Sequence, residues 1–412
     1  MKILVIGGGG REAALVHKIA KSPRVTKIFC APGNAGIASY ATLVPIADDQ
    51  IALLLKFAQE NQIDLTVVGP EKPLSMGIVN QFREAGLKIF GPTKEAAQLE
   101  SSKVFSKNFM RKYKIPTADA QVTTIDAAYE KMKAIKMPIV LKVDGLAAGK
   151  GVVIAQNINE AQAGLDYFKK IGKGAEPILI EQYLEGVEAT FFVVADSEDV
   201  IPLATAKDHK RLMDDNCGPN TGGMGAISPA PSITPDLHDK IMKTIVHPTL
   251  KGLMQEGISY QGVLYVGLML TSDGPYVLEF NARLGDPEAQ VVLPRLKTDW
   301  IDLIDAVLEH RLYRLRLEWE DQVAVCVVLA SKGYPGDYQK GDEITGLDKI
   351  QDTAITVFHA GTKREGEILT SGGRVLGVTA LAGDVQSARQ KIYRAIHQIQ
   401  FSGMQYRNDI GV

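Results

Sequence analysis

The sequence predicts a multidomain α/β and α+β fold: an N-terminal doubly wound parallel sheet, a central α+β core with a small lid inserted before it, and a small C-terminal α+β domain. Three observations carry this. At 412 residues the chain exceeds what one ordinary hydrophobic core holds. Residues 1 to about 100 alternate short apolar runs, each closed by Gly or Pro, with helix-like stretches, the pattern of parallel strands joined by crossover helices. A compact strand-rich stretch from Pro138 to about Glu188 precedes a region of longer strands and helices. The expected boundaries are 1–101, 102–320 with the lid at about 117–189, and 321–412.

In the first region Lys2–Ile6, Lys27–Ala31, Asp64–Val68 and Lys88–Phe90 read as strands. Ligands of such sheets collect at the strands' carboxyl ends, here Gly7–Glu12, Pro32–Gly36, Gly69–Glu71 and Gly91–Thr93. A helix over Ser102–Tyr113 leads through Pro116 into the lid. Beyond it, strands Ala189–Ala195 and Gly262–Leu270 alternate with helices Pro235–Gln255 and Asp299–Glu309. The last region carries strands at Val323–Ala330, Ala354–His359 and Arg374–Leu381, then a helix at Val385–Ile399.

Composition narrows the function. A net charge of −2 supplies no overall field for nucleic acid or an anionic membrane, though a local basic pocket for a small phosphorylated molecule is compatible with it. Cys30, Cys217 and Cys326 are far apart, odd in number and without metal-ligand spacing, which points to a reducing cytoplasm. The apolar start Met1–Ile6 runs into four glycines and is too short for a signal peptide or a membrane span.

The most informative segment is Val140–Val153. An apolar strand carrying Lys142, the small-residue turn Gly145-Leu146-Ala147-Ala148-Gly149-Lys150-Gly151 and a second apolar strand make a hairpin whose N–H groups can close over phosphates. A P-loop is excluded, because only three residues separate Gly145 from Gly149 and Gly151 follows the lysine. Read alone, the segment fits a surface hairpin as well.

Downstream, strand alternation in Val277–Arg283 puts Glu279 and Asn281 on one face with Arg283 beyond, two hard oxygen ligands and a cation that suit a Mg²⁺-bound triphosphate. Asp286-Pro287-Glu288 follows at once. Ile178–Gly186, with Glu181, Tyr183, Leu184 and then Glu188, reads as a connector whose backbone can meet an adenine edge and whose carboxylate can hold ribose hydroxyls; a plain linker fits equally well. Lys207–Arg211, including Asp208, runs into the loop Gly218–Ala226, which can approach an anion through backbone N–H groups. At the N-terminus, Gly8-x-Gly10-x-x-Ala13 meets a relaxed dinucleotide fingerprint, but the second strand ends at Ala31-Pro32 without the acidic residue that holds a ribose. That weakens an oxidoreductase, while the glycine turn with Arg11 suits a single phosphate.

Lys103, Lys142, the 145–151 glycine turn, Glu181–Glu188 and Glu279-x-Asn281 together resemble the ATP-grasp ligases in order and spacing. Within that superfamily Gly9–Glu12, Ala31–Gly36, Val68–Glu71, Asp144–Gly151, Gly218–Ala226, Arg283–Glu288, Phe358–Thr362 and Gly372–Leu376 resemble the glycinamide ribonucleotide synthetases over essentially the whole chain. The resemblance implies ATP-grasp central domains and ligation of glycine to 5-phosphoribosylamine, with ADP and phosphate released, through glycyl phosphate. It implies that Lys103 and Lys142 contact ATP phosphates, that the turn through Gly145, Gly149, Lys150 and Gly151 covers them, that Glu181, Tyr183 and Leu184 meet adenine, and that Glu188 meets ribose. Glu279 and Asn281 would hold Mg²⁺ or Mn²⁺, Arg283 would neutralise the acyl phosphate and Lys207 the γ-phosphate. Gly10, Arg11, Gly69 and Glu71 would line the sugar-phosphate pocket, with Asp208, Gly223, Met224 and Gly225 near the reacting centre.

Ala13 departs from the pattern, since related sequences usually carry histidine there, and no fused purine enzyme is expected after Gly411. A monomer is expected, with a dimer as the alternative. The competing functions are a biotin carboxylase-like or formate-using ATP-grasp ligase, a nucleotide-binding regulator without turnover, and a nicotinamide-dependent oxidoreductase.

Overall fold

The computed structural model describes residues 1–147 and 151–412. The N-terminal region is a parallel five-stranded sheet in the spatial order Thr42–Leu43, Lys27–Pro32, Lys2–Gly7, Leu65–Val68, Ile89–Phe90. All four predicted strands are present. The fifth, Thr42–Leu43, is an exposed two-residue edge. Ile3, Leu4, Val5 and Ile6 are fully buried, as a central strand covered on both faces must be. The sheet changes winding direction beside Lys2–Gly7, so the turns after Lys2–Gly7 and Leu65–Val68 face one crevice.

The lid is an antiparallel sheet in the order Ala120–Thr123, Ile178–Gln182, Ile139–Val143, Val152–Ala155, covered by helices Ile125–Lys131 and Ile158–Lys170. Its core, with Ile125, Leu141, Leu165 and Phe168, is its own. The expected hairpin is formed: Lys142 pairs with Val152, and Val143 N–H donates to the Gly151 carbonyl at 3.0 Å.

A second antiparallel sheet, Val200–Pro202, Val187–Asp196, Gln261–Thr271 and Gly274–Asn281, carries the charged strand. The single helix expected over Pro235–Gln255 is Pro235–Ile241 and His247–Gln255 joined by a π turn at Met242–Val246, next to Pro248, which has no N–H to give the preceding turn. The C-terminal sheet runs Lys207–Asp208, Gly225–Ser228, Val323–Ala330, Arg374–Ala382, Ile355–His359. Its first two strands come from the middle of the chain, where the sequence predicts a charged turn and a loop. One continuous core, including Val5, Phe192, Trp300, Cys326 and Phe358, joins the N-terminal, central and C-terminal sheets.

Candidate active site

The lid hairpin meets the helix Lys103–Lys112 at its start. Ser102 caps that helix by accepting from Phe105 N–H at 3.1 Å, and Asp144 accepts from Val104 N–H at 3.2 Å. This brings Lys103 over the turn, where its ammonium donates to the Gly145 carbonyl at 2.9 Å. Lys142 lies beside it, donating to the Leu278 carbonyl at 2.9 Å and pairing with Glu181 at 2.8 Å. The other Glu181 oxygen pairs with Lys107 at 3.2 Å. Burial alone would push the Glu181 carboxyl up, but the Lys142 and Lys107 ammonium groups outweigh it and hold it below the ordinary range. Its side chain therefore neutralises two lysines rather than lying free for the adenine edge expected of it. Among the described residues, the N–H groups of Tyr183 and Leu184 make no hydrogen bond. Gly149 and Lys150 lie outside the described residues.

Glu279 and Asn281 share a face of Gly274–Asn281, reached through a register shift that leaves Val277 and Phe280 buried. Burial raises the Glu279 carboxyl, yet Lys210, Lys142, Lys103 and Arg283 together bring it to about 2. Lys210 lies 3.4 Å from Glu279 and 3.6 Å from Glu188. Lys207, predicted to face the γ-phosphate, does not meet them. Alternation puts Asp208 and Lys210 on the site face and Lys207 with His209, whose imidazole it helps burial to depress. Of these two lysines, Lys210 is the one that faces Glu188 and Glu279. Among the described residues no group of three or more His, Cys, Asp or Glu side chains could hold a metal ion. An ionised carboxylate and an amide oxygen beside Lys103 and Lys142 still form a hard-oxygen donor pair that fits Mg²⁺ retaining waters.

Asp208 and Glu288 form a second charged cluster. Burial first, and then the Glu288 charge, pushes the Asp208 carboxyl well above its ordinary value; burial likewise raises Glu288. Asp208 Oδ1 is buried without a hydrogen-bond partner. Asp208 also lines a cavity of about 10 Å³, room for one water-sized or ammonium-sized group, together with Glu188, Thr190, Lys210 and Tyr265. Gly223 packs on Asp208 with φ +111°, and a Cβ there would come within 2.7 Å of Asp208 Oδ1 and 2.4 Å of Pro287 Cδ. Met224 is fully buried, so only its backbone reaches this region: its N–H donates to the His209 carbonyl. Gly225 lies in the C-terminal sheet opposite Val327.

At the crevice of the parallel sheet, Arg11 donates to Glu12 at 2.6 Å, and Glu71 lies between Arg11 at 3.9 Å and Arg283 at 3.4 Å. Arg283 also pairs with Glu100 at 2.7 Å, a residue that sequence reading passed over. Glu12 packs against Gly69, where a Cβ would fall 2.1 Å from its carboxylate. The start of helix Gly10–Ile19 is not the open phosphate seat its glycines suggest: Glu12 already accepts from Gly9 N–H at 2.6 Å, and Asp286 from Arg11 N–H at 3.1 Å. Sequence reading also missed Arg374. It comes from the C-terminal sheet, donates to the carbonyls of Gly222 at 2.6 Å and Asp286 at 2.5 Å, and so fixes the glycine loop against the N-terminal helix.

A lid hairpin carrying Lys142, a connector whose Tyr183 and Leu184 N–H groups are unbonded among the described residues, and an acid–amide strand facing them define an ATP-dependent ligase of the ATP-grasp class. The matching family models are phosphoribosylglycinamide synthetase, N domain over residues 1–100, ATP-grasp (A) domain over 101–289 and C domain over 324–412. The chain belongs to the phosphoribosylglycinamide synthetase family. It is 50% identical over 417 residues to phosphoribosylamine–glycine ligase of Caldanaerobacter subterraneus, covering 100% of this chain and 99% of that one. The ligase of the same name from Vibrio parahaemolyticus is 48% identical over 419 residues, covering 100% and 98%. The crystal structure of phosphoribosylamine–glycine ligase from Thermotoga maritima superposes with a TM-score of 0.83 at 34% identity, covering all of both chains. A biotin carboxylase domain from Hydrogenobacter thermophilus, with a TM-score of 0.74 at 17% identity over 98% of this chain and 91% of that one, shares the fold.

Proposed function

We propose that the chain carries out its family's reaction, ATP-dependent ligation of glycine to 5-phosphoribosylamine, by way of glycyl phosphate. A glycine carboxylate oxygen attacks the γ-phosphorus in line and ADP departs. The amine of phosphoribosylamine then attacks the carbonyl carbon, phosphate leaves with the attacking oxygen, and the amine loses a proton. The chain's part is positioning and charge neutralisation. Lys103 and Lys142 bind the phosphates, the Tyr183–Leu184 backbone meets adenine and Glu188 ribose. Lys210 faces the γ-phosphate, and Arg283 stands next to the developing acyl phosphate. Glu279 and Asn281 would hold Mg²⁺ or Mn²⁺, which supplies neutralisation of phosphate charge when bound. Arg11, Gly10, Gly69 and Glu71 border the pocket for the phosphoribosyl group. The working unit is a cytoplasmic monomer divided at about residues 101 and 320.

The observation that supports glycine as the substrate is the carboxyl pair Asp208 and Glu288, with a buried Asp208 oxygen lacking a partner, a cavity of ammonium size lined by Asp208, and no Cβ at Gly223. An amino acid without a side chain seats its ammonium there and points its carboxylate toward the metal strand. In an assay of ADP release, turnover is expected only with glycine and phosphoribosylamine together, and Asp208→Asn is expected to raise the KM for glycine by about tenfold or more while leaving the KM for ATP in place. Turnover supported by bicarbonate or formate instead of glycine would overturn the reading in favour of a biotin carboxylase-like or formate-using ligase.

A further inference from the structure

Lys107 is a buried lysine of the helix Lys103–Lys112. Its side chain is 2% exposed, one turn beyond Lys103 on the same helix. Its ammonium has three partners: Glu181 at 3.2 Å, Thr117 Oγ1 at 2.8 Å and the Ala118 carbonyl at 3.1 Å. A buried ion pair is seldom more stabilising than apolar side chains of the same volume, so stability alone does not account for this one. Its placement does. Glu181 holds Lys142 with its other oxygen at 2.8 Å, and Lys142 is the lid lysine assigned to the phosphates. When Lys142 turns its protons to phosphate oxygens, Glu181 must share or lose that partner, and a carboxylate left 4% exposed without a counter-ion is costly. Thr117 meanwhile donates to the Val277 carbonyl at 2.8 Å, and Val277 N–H donates to the Pro116 carbonyl at 2.8 Å. The segment joining the lid to the core is thus tied to the strand that carries Glu279.

We propose that Lys107 is a positioning residue: it stays as the counter-ion of Glu181 when Lys142 engages the nucleotide phosphates, freeing the lid lysine without stranding a buried carboxylate. This rests on Lys142 being a phosphate ligand. Lys107→Met is expected to raise the KM for ATP by about tenfold or more, with kcat at saturating ATP changed much less. Glu181→Gln removes the charge that needs a counter-ion, so Lys107→Met in the Glu181→Gln chain is expected to add less than about threefold. Thermal melting follows the fold of each variant. If Lys107→Met alone does not fold, Lys107→Met/Glu181→Gln against Glu181→Gln still decides. An unchanged ATP KM in folded Lys107→Met, or a further tenfold loss in the double variant, overturns the proposal. Lys142→Met separates the two claims, because unaltered ATP binding there removes the phosphate role of Lys142 itself.

Discussion

Glu279 is half exposed, yet the cations around it hold its carboxyl at about 2, so it is a fixed negative charge at any working pH. Glu279→Ala is expected to abolish metal-dependent turnover while melting as the parent does, and turnover retained at saturating Mg²⁺ would remove it from the metal site. Lys207 and Lys210 illustrate what a sequence hides. The run Lys207–Arg211 shows two lysines three apart, and only the strand pairing of Lys207–Asp208 decides which faces Glu279. Lys210→Ala is expected to cost about 100-fold or more in kcat and Lys207→Ala far less, measured by ADP release; the reverse order would mean that the alternation has been misassigned. Glu279, Asn281, Lys142 and Lys103 were legible because each lies in a strand or helix start with local signals. Lys107, Glu100 and Arg374 were not, because their ionic partners Glu181, Arg283 and Asp286 lie 74, 183 and 88 residues away in sequence.

Among the elements, the lid hairpin, the parallel sheet and the main helices could be read from period and punctuation. The strands Lys207–Asp208 and Gly225–Ser228 could not, since their pairing partner Val323–Ala330 is a distant segment and their own residues are charged or small. Gly223 shows what such an element must supply. At φ +111° an added Cβ is strained whatever the space, and here it also strikes Pro287 and Asp208. Gly223→Ala is therefore expected to lose glycine-dependent turnover with nucleotide binding intact; full activity would show that the loop does not back the glycine site. A cap gives the opposite contrast. Asp299 accepts from Ile301 N–H at 2.9 Å at the start of buried helix Trp300–Leu308, so Asp299→Ala is expected to cost about 1 kcal/mol in a denaturant melt without changing kcat.

Across the molecule, three sheets share one core and the lid keeps another, so charge-burying contacts between regions set the acid limit of the fold. His17, His209 and His359 are each depressed by burial from 6.5 to about 4. His17 packs edge-on against Phe358, and His359 N-terminally neighbours the Ala360–Thr362 turn that meets Ala35. Because each folded pKa lies below its unfolded value, the unfolded chain binds the extra protons. Stability is fully present above about 6.5 and is lost as pH falls toward about 4, by at most about 4 kcal/mol per pH unit for the three groups together. Urea midpoints at pH 7 and pH 5 are expected to show this fall, and equal midpoints would show that the histidines protonate within the fold. On the proposed function, the lid, the strand Gly274–Asn281 and the Asp208–Glu288 pair would act together to activate glycine as an acyl phosphate. Supplying glycine labelled with ¹⁸O in its carboxylate tests it directly. The account predicts one labelled oxygen in the inorganic phosphate released with glycinamide ribonucleotide, and phosphate free of label would contradict it.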